Sequence, residues 1–369
     1  METNELADFR GRLLAWFREG HRDLPWRRTR EPYRIWLSEI MLQQTRVAAA
    51  IPYFERFVLR FPDVAALSEA PQEEVLRLWS GLGYYSRARN LQRAAQQIVA
   101  KHNGEFPREL EDALALPGIG PYTAAAILSI AFGEKLAVLD GNVARVLARI
   151  GAVRGDLRET QRWKKLQAMA DRLLAAEAPG DWNQAMMEFG ATLCTPRAPR
   201  CLLCPVAAYC RARELGLAER LPEKRKKRGT VAITLVAAVF LNQRGETLLL
   251  PPPAGSNGDK AEDVPTLVSR LWHFPSEPVS GSDSGKALRH LVRATGATRM
   301  DKPREAAALA RVRHTVTYRK IEVLASLIRV ARLPRIPGAK RVALPGVSSL
   351  AISNLTRKIA RAAVAQVNS

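Results

Sequence analysis

All four cysteines of the chain fall within seventeen consecutive residues, at positions 194, 201, 204 and 210. Thiols this close cannot staple distant parts of a 369-residue chain together. A chain of this length also buries a sizeable core without disulfides. The spacing is Cys194-x6-Cys201-x2-Cys204-x5-Cys210. Four sulfurs on one short loop-rich segment can surround a metal centre, either tetrahedral zinc or an iron–sulfur cluster. Zinc sites usually combine two close pairs. Here Cys201 and Cys204 form the only close pair and the outer gaps are wide, which leans toward the cluster.

Around this segment, residues 1–220 read as helical. Apolar residues recur at spacings of three and four, as in Phe9, Leu13, Trp16 and Phe17 and again in Val75, Leu78 and Trp79. Short punctuations at Phe61-Pro62-Asp63, Gly81-Leu82-Gly83 and Leu116-Pro117-Gly118 separate the helices. Five consecutive cations, Lys224 to Arg228, then mark an exposed linker over 221–229. Residues 230–369 follow a different pattern. Val231 to Phe240, a turn at Gln243 to Glu246, and Thr247 to Leu250 predict a β-hairpin. A loop over Pro251–Pro265, a strand over Arg319–Val330 and a helix over Leu355–Val367 complete a mixed domain. The expected fold is multidomain: an all-α domain over 1–220, then an α+β domain over 230–369.

Charge indicates the partner. Lys and Arg number 57 against 36 Asp and Glu, a net charge of +21. Residues 230–369 hold 21 basic and 9 acidic side chains, with no Asp or Glu from Val323 onward, and the remainder is basic as well. Such a field attracts a polyanion such as nucleic acid. No run reaches the ~18 apolar residues of a membrane helix. The acidic start Met1-Glu2-Thr3-Asn4-Glu5 does not read as a signal peptide. A cytoplasmic location, nucleoid-associated through DNA, is therefore expected, with a monomer as the default.

Three short segments carry chemistry. Leu116-Pro117-Gly118-Ile119-Gly120-Pro121 joins two helical patterns. Gly118 and Gly120 permit a tight turn whose backbone N–H groups, at a helix N-terminus, suit a phosphate; a plain helix–helix turn is the simpler reading. Asp140 precedes an amphipathic helix from Val143 to Ile150 and is placed to cap it. Hydrogen bonds from the cap favour the ionised carboxylate, which can stabilise a cationic sugar. Glu39 lies in the largely apolar helix Trp36-Leu37-Ser38-Glu39-Ile40-Met41-Leu42. It is either an exposed carboxylate or, facing a closed pocket, one whose proton affinity is raised by burial. An acid beside an ionised carboxylate is the arrangement that cleaves a glycosidic bond.

These segments resemble known ones. Cys194-Thr195-Pro196-Arg197 to Cys201-Leu202-Leu203-Cys204-Pro205 is similar to the [4Fe–4S] loop of the endonuclease III and MutY class of DNA glycosylases. The glycine turn with Thr123-Ala124-Ala125-Ala126 resembles that class's helix–hairpin–helix. Trp36 to Thr45, Gly81-Leu82-Gly83-Tyr84-Tyr85 and Leu139-Asp140-Gly141-Asn142-Val143 resemble signature segments of the MutY-type adenine DNA glycosylases, and the likeness runs from about Leu24 to Cys210. The resemblance implies a [4Fe–4S] cluster on Cys194, Cys201, Cys204 and Cys210. It also implies excision of adenine opposite 8-oxoguanine or guanine in double-stranded DNA. Glu39 would protonate the adenine at N7. Asp140 would stabilise the sugar cation or a covalent intermediate, with Asn142 and Tyr122 in support. Gln44 and Tyr84 match positions that wedge into the stack beside the lesion pair, Thr45 and Leu82 positions at the DNA, Gly118 and Gly120 the phosphate-binding turn, and Trp26, Arg27 and Gln184 the adenine pocket. In the endonuclease III branch a lysine stands where this chain has Tyr122. A phenol cannot form that branch's Schiff base, so the resemblance implies a monofunctional enzyme that leaves the strand intact.

Thr234 to Leu250 with Arg270 to Pro275 resembles the Nudix-like C-terminal domain of MutY proteins, which reads the base opposite adenine. No Arg-Glu-x-x-Glu-Glu run occurs there, so Nudix hydrolysis is not expected. Where the family often has Phe-Ser-His, this chain has Val316-Thr317-Tyr318, leaving Thr317 as the hydroxyl for a lesion contact. Two other readings share these features: excision of another base of a mispair, such as thymine opposite guanine, and a metal-stabilised DNA-binding module without catalysis.

Overall fold

Helices supply all the regular structure described before residue 224. They are α1 (Thr3–Gly20), α2 (Pro32–Leu42), α3 (Val47–Arg60), α4 (Val64–Glu69), α5 (Gln72–Trp79), α6 (Ser86–Lys101), α7 (Leu110–Ala115), α8 (Pro121–Phe132), α9 (Gly141–Ile150), α10 (Thr160–Leu173), α11 (Pro179–Thr192) and α12 (Arg211–Glu214). Beyond them lie strands β1 (Val231–Leu241), β2 (Glu246–Leu249), β3 (Ser276–Pro278), β4 (Ala307–Val316), β5 (Arg319–Arg329) and β6 (Lys340–Ala343). Helix α13 (Ser284–Ala294) falls between β3 and β4, and α14 (Asn354–Asn368) ends the chain. This computed structural model describes residues 2–223, 229–251, 271–279, 283–297, 307–316 and 319–368. The basic run 224–228, most of the expected loop over 251–265, Arg270, and Thr317 with Tyr318 lie outside the described residues.

The chain divides into two units: Met1–Ala70 with Ser86–Lys226, and Pro71–Tyr85 with Lys227–Ser369. The expected single division near 220 is therefore joined by an excursion, since 71–85 groups with the second unit. Ion pairing of Lys340 with Glu73 at 2.9 Å and the bond from the Ser80 hydroxyl to the Ile352 carbonyl at 2.9 Å are among the interactions that hold it there.

In the first unit, α2 is buried along nearly its whole length, from Tyr33 to Met41, and packs against α3, α6 and α8. Its start is defined locally: Pro32 pre-sets the first turn, and the Glu31 carboxylate accepts the N–H groups of Tyr33 and Arg34. Helix α8 begins on Pro121 after Gly120 and stops at Gly133, whose φ of 77° is left-handed. Helix α11 approaches α8 and α9 through two glycines. A Cβ on Gly180 would lie 2.8 Å from the Ser129 carbonyl oxygen, and one on Gly190 would lie 2.9 Å from Cβ of Asn142.

The second unit is built on a four-stranded mixed sheet in the order β3-β1-β5-β4, with β1 parallel to β5 and the other pairs antiparallel. One face packs under α14 through Leu355, Ile359 and Ala363, the other under α13 through Leu291 and Val292. The α+β expectation holds, but the hairpin does not. β1 and β2 are joined by a turn in which Asn242 N–H donates to the Glu246 carbonyl, yet β2 pairs with β6 in a separate sheet. β5 pairs with β1 along its whole length and β3 pairs with Leu235 to Ala237 on the other edge, while β2 takes β6 as its partner.

Candidate functional site

A cavity of about 570 Å³ in the first unit collects side chains from five segments. Helix α2 brings Glu39, and the turn after it brings Gln44 and Thr45. The N-terminus of α8 brings Tyr122, the N-terminus of α9 brings Asp140 and Asn142, and α11 brings Gln184, Met187 and Glu188. Trp26 and Arg27 close one wall.

Glu39 is 6% exposed. Burial pushes its carboxyl up to about 7; the Tyr122 hydroxyl opposes this, the Asp140 carboxylate adds to it, and Arg27 opposes it from further off. Tyr122 Oη lies 2.7 Å from Oε2 of Glu39 and 3.1 Å from Sδ of Met187. Its own ionisation is driven well above the ordinary tyrosine range by burial and by the two neighbouring carboxylates. The exposed-carboxylate reading of Glu39 is thereby excluded.

Asp140 is the N-cap of α9, as its sequence context predicts. Its Oδ1 accepts from the N–H groups of Asn142 at 2.9 Å and Val143 at 2.7 Å, and its Oδ2 from the Asn142 side chain at 3.0 Å. These bonds lower its proton affinity, as expected of a capping carboxylate, and burial acts against them. Burial raises its proton affinity by more than these hydrogen bonds and Arg145 lower it. Asp140 and Glu39 thus both hold protons more tightly than free carboxylates, Glu39 to about 7.

Three residues not singled out in the sequence, Glu188, Arg22 and Arg145, complete the neighbourhood. Glu188 is 2% exposed and clamped by Arg22, Nε to Oε1 at 2.7 Å, and by Arg27, Nη2 to Oε2 at 2.8 Å. Burial would raise Glu188, but these two guanidiniums outweigh it and hold the carboxyl down to about 2. The signal was available in the first-unit arginines Arg22 and Arg27, which need a buried counter-charge once Trp26 between them is core. Arg145 was hidden by the amphipathic reading of α9, which turns both of its arginines inward. Its Nη2 donates to Asn142 Oδ1 at 3.0 Å and to the Gly190 carbonyl at 2.7 Å, and its Nε to the Cys194 carbonyl at 3.0 Å. Asp140, Asn142, Arg145 and Cys194 therefore form one hydrogen-bonded chain.

The four cysteines are half-buried, form no disulfide, and line a second cavity with Arg149. Burial and the neighbouring sulfurs push the Cys204 thiol up to about 11 and raise Cys210. Among the described residues, no three His, Cys, Asp or Glu side chains close on a single ion. Arg149, 1% exposed, donates through Nη1 to Sγ of Cys194 at 3.2 Å and to the Thr195 carbonyl at 2.7 Å. Its Nη2 is buried with no hydrogen-bond partner. A dry cationic donor beside four thiols fits an anionic group held on their sulfurs. Arg197, Arg200, Arg211 and Arg213 are exposed around this loop.

Among the described residues, the remaining predicted ones do not line the main cavity. Gly118 takes a left-handed φ of 82° in the turn before α8, packed on Asn90, and Gly120 caps α8. Leu82 and Tyr84 belong to the second unit. Thr317 is outside the described residues.

Comparisons with known proteins agree with this geometry. Residues 37–172 match the model of the HhH-GPD superfamily base excision DNA repair proteins. The human adenine DNA glycosylase is 47% identical over 222 residues, covering 58% of this chain and 41% of the relative. The adenine DNA glycosylase of Arabidopsis thaliana is 36% identical over 313 residues, 74% of this chain and 48% of the relative. The chain thus spans about half the length of these curated relatives. A solved thermostable thymine-DNA glycosylase superposes with a TM-score of 0.53 at 30% identity, covering 57% of this chain and 98% of that one. With its helix–hairpin–helix turn, buried Glu39 and capping Asp140 in place, this chain belongs to the HhH-GPD superfamily of base excision DNA repair proteins.

Proposed function

We propose that this protein is a monofunctional adenine DNA glycosylase that excises adenine mispaired with 8-oxoguanine or guanine in double-stranded DNA. The observation that carries the reading is Glu39: a carboxyl held dry, near pH 7 in proton affinity, hydrogen-bonded to Tyr122 and in one cavity with Asp140. The curated relatives named adenine DNA glycosylase support the choice of base.

The cavity of about 570 Å³ accommodates an extruded purine. Glu39 donates its proton to N7 of the adenine, and the glycosidic electron pair leaves with the base. Asp140, held by the N–H groups of Asn142 and Val143, faces the positive C1′ that results. Glu39, now ionised, takes a proton from the water that attacks C1′. Tyr122 orients Glu39 by its hydrogen bond, and a phenol forms no Schiff base with the sugar. Trp26, Arg27 and Gln184 line the base pocket, while the turn at Gly118 and Gly120 contacts a phosphate.

A [4Fe–4S] cluster fits the second cavity. Cys194, Cys201, Cys204 and Cys210 would hold it and Arg149 Nη2 would donate to it. When bound, it ties the loop together and keeps Arg197 and Arg200 facing phosphates. The second unit is a Nudix-like domain that reads the base opposite adenine, with Thr317 as a contact.

The test is release of adenine from duplexes carrying it opposite 8-oxoguanine, guanine and thymine, with alkali added afterwards to cut at abasic sites. Alkali-dependent cleavage opposite the first two supports the proposal. Removal of thymine instead, or strand cleavage without alkali as fast as base release, overturns it. Iron and sulfide contents near four of each per chain are expected for the cluster.

A further inference from the structure

We infer that Arg357, at the start of the last helix α14, is a positioning residue that holds the Ser80–Tyr85 turn so that Tyr84 stands out as a wedge against stacked bases; this rests on the function proposed above.

The turn is left-handed at three of four consecutive positions, with φ of 115° at Gly81, 73° at Gly83 and 48° at Tyr84. Two of these are glycine and cost little. Tyr84 is not, and a non-glycine residue keeps this conformation only where its surroundings over-determine it. Tyr84 is 43% exposed. An exposed ring on a strained backbone, in a protein of net charge +21, is a stacking platform for bases.

Trp79 Nε1 donates to the Gly83 carbonyl at 3.2 Å from within the turn, and a second set of restraints comes from residues 352–357 of the same unit. Nη2 of Arg357 donates to the Ser80 hydroxyl at 2.6 Å, and that hydroxyl donates to the Ile352 carbonyl at 2.9 Å. The Tyr85 hydroxyl donates to the same carbonyl at 3.2 Å and lies 3.4 Å from the Gly81 N–H. The Asn354 side chain donates to the Gly81 carbonyl at 3.4 Å. Both ends of the six-residue arch that carries Tyr84 are thus fixed to the lead-in and first turn of α14. Ser80 is the relay: it accepts from Arg357 and donates to Ile352, so removing the guanidinium frees the hydroxyl to rotate. The consequence is that the unit proposed to read the opposite base also sets the wedge.

Full-length protein is compared as wild type, Arg357→Met, Arg357→Lys, Ser80→Ala, Tyr84→Ala and the double variant Tyr84→Ala with Arg357→Met. The substrate is an adenine:8-oxoguanine duplex with 2-aminopurine beside the oxidised base, whose fluorescence reports unstacking. A second duplex carries 2′-fluoro-adenosine, so that unstacking is read without base release. Arg357→Met and Ser80→Ala should each lower wedge-induced fluorescence and slow adenine release about tenfold, with partial rescue in Arg357→Lys. Adding Arg357→Met to Tyr84→Ala should cost nothing further, because the tether acts through that ring. Wild-type fluorescence in both tether variants, or a full additional loss in the double variant, overturns the inference. If Arg357→Met melts below the assay temperature, Ser80→Ala is read by the same criteria. Failure of the wild type to release adenine would strike the proposed function, while the fluorescence arm would still decide the tether.

Discussion

The Tyr122 hydroxyl lies 2.7 Å from Oε2 of Glu39, joining residues 83 apart in the chain within one cavity. The bond has a definite sign. It stabilises the ionised form of Glu39 against burial, which acts the other way and is the larger effect. Proton donation from Glu39 is therefore tuned by two opposed contributions that separate substitutions can remove.

The first consequence is a pH profile. Adenine release should be level in mildly acidic solution and fall tenfold per pH unit above about 7, as Glu39 loses its proton. Tyr122→Phe removes a contact that lowers Glu39, so its falling limb should move to higher pH while the plateau rate drops. Glu39→Gln should lose the limb altogether, with a rate down by about 10²–10⁴-fold. Single-turnover rates across pH 5–9 test all three; an unmoved limb in Tyr122→Phe would contradict the assignment.

Glu39 should also cost stability. Its carboxyl rises from 4.5 when unfolded to about 7 when folded. The folded state is thus unpenalised below pH 4.5, loses stability as pH rises from 4.5 to 7, and stays penalised above. By linkage this amounts to about 3 kcal/mol at pH 8. Glu39→Gln should accordingly be more stable than wild type at pH 8 and nearly equal to it at pH 4.5. Denaturant melts at the two pH values measure the difference.

Gly190 tests the placement of Asn142 and Asp140. An alanine Cβ there would lie 2.9 Å from Asn142 Cβ and 3.2 Å from its carbonyl oxygen, so α9 or α11 must shift. Gly190→Ala should destabilise by about 1–3 kcal/mol and slow base release more than substrate binding. Gly11→Ala, in the exposed middle of α1 with nothing within 4 Å, should instead stabilise by roughly 0.5–1 kcal/mol and leave the rate alone. Equal effects at both glycines would remove the case for close approach.

Glu188 anchors one wall of the cavity through Arg22 and Arg27. With Glu188→Gln, the Arg27 side chain, 9% exposed, is left without its counter-charge, at about 3–5 kcal/mol. Because Glu188 is held down to about 2, its ion pairs contribute above pH 4.5 and are lost as pH falls toward 2. Thermal melts should show wild type losing stability through that acid window and the variant losing less. Parallel acid limbs in the two proteins would argue against the clamp.

Much of the site was legible locally. The cysteine spacing, the Gly118–Gly120 turn and the Asp140 cap depend on residues within a few positions of one another, where steric allowance and hydrogen-bond reach act. The helices of the first unit followed from apolar periodicity in the same way. Other decisions lay with elements distant in the chain. Glu39 faces a cavity because α8, α9 and α11 close over α2, and nothing beside it in sequence says so. Arg145 and Arg149 turn inward because the Asn142 side chain and the Cys194–Thr195 backbone offer them acceptors. β2 pairs with β6, a strand distant in the chain, instead of with β1. Sequence by itself thus determined which residues could do the chemistry. Tertiary packing decided which of them stay dry, since desolvation depends on the surfaces that meet at a residue and not on its chain neighbours.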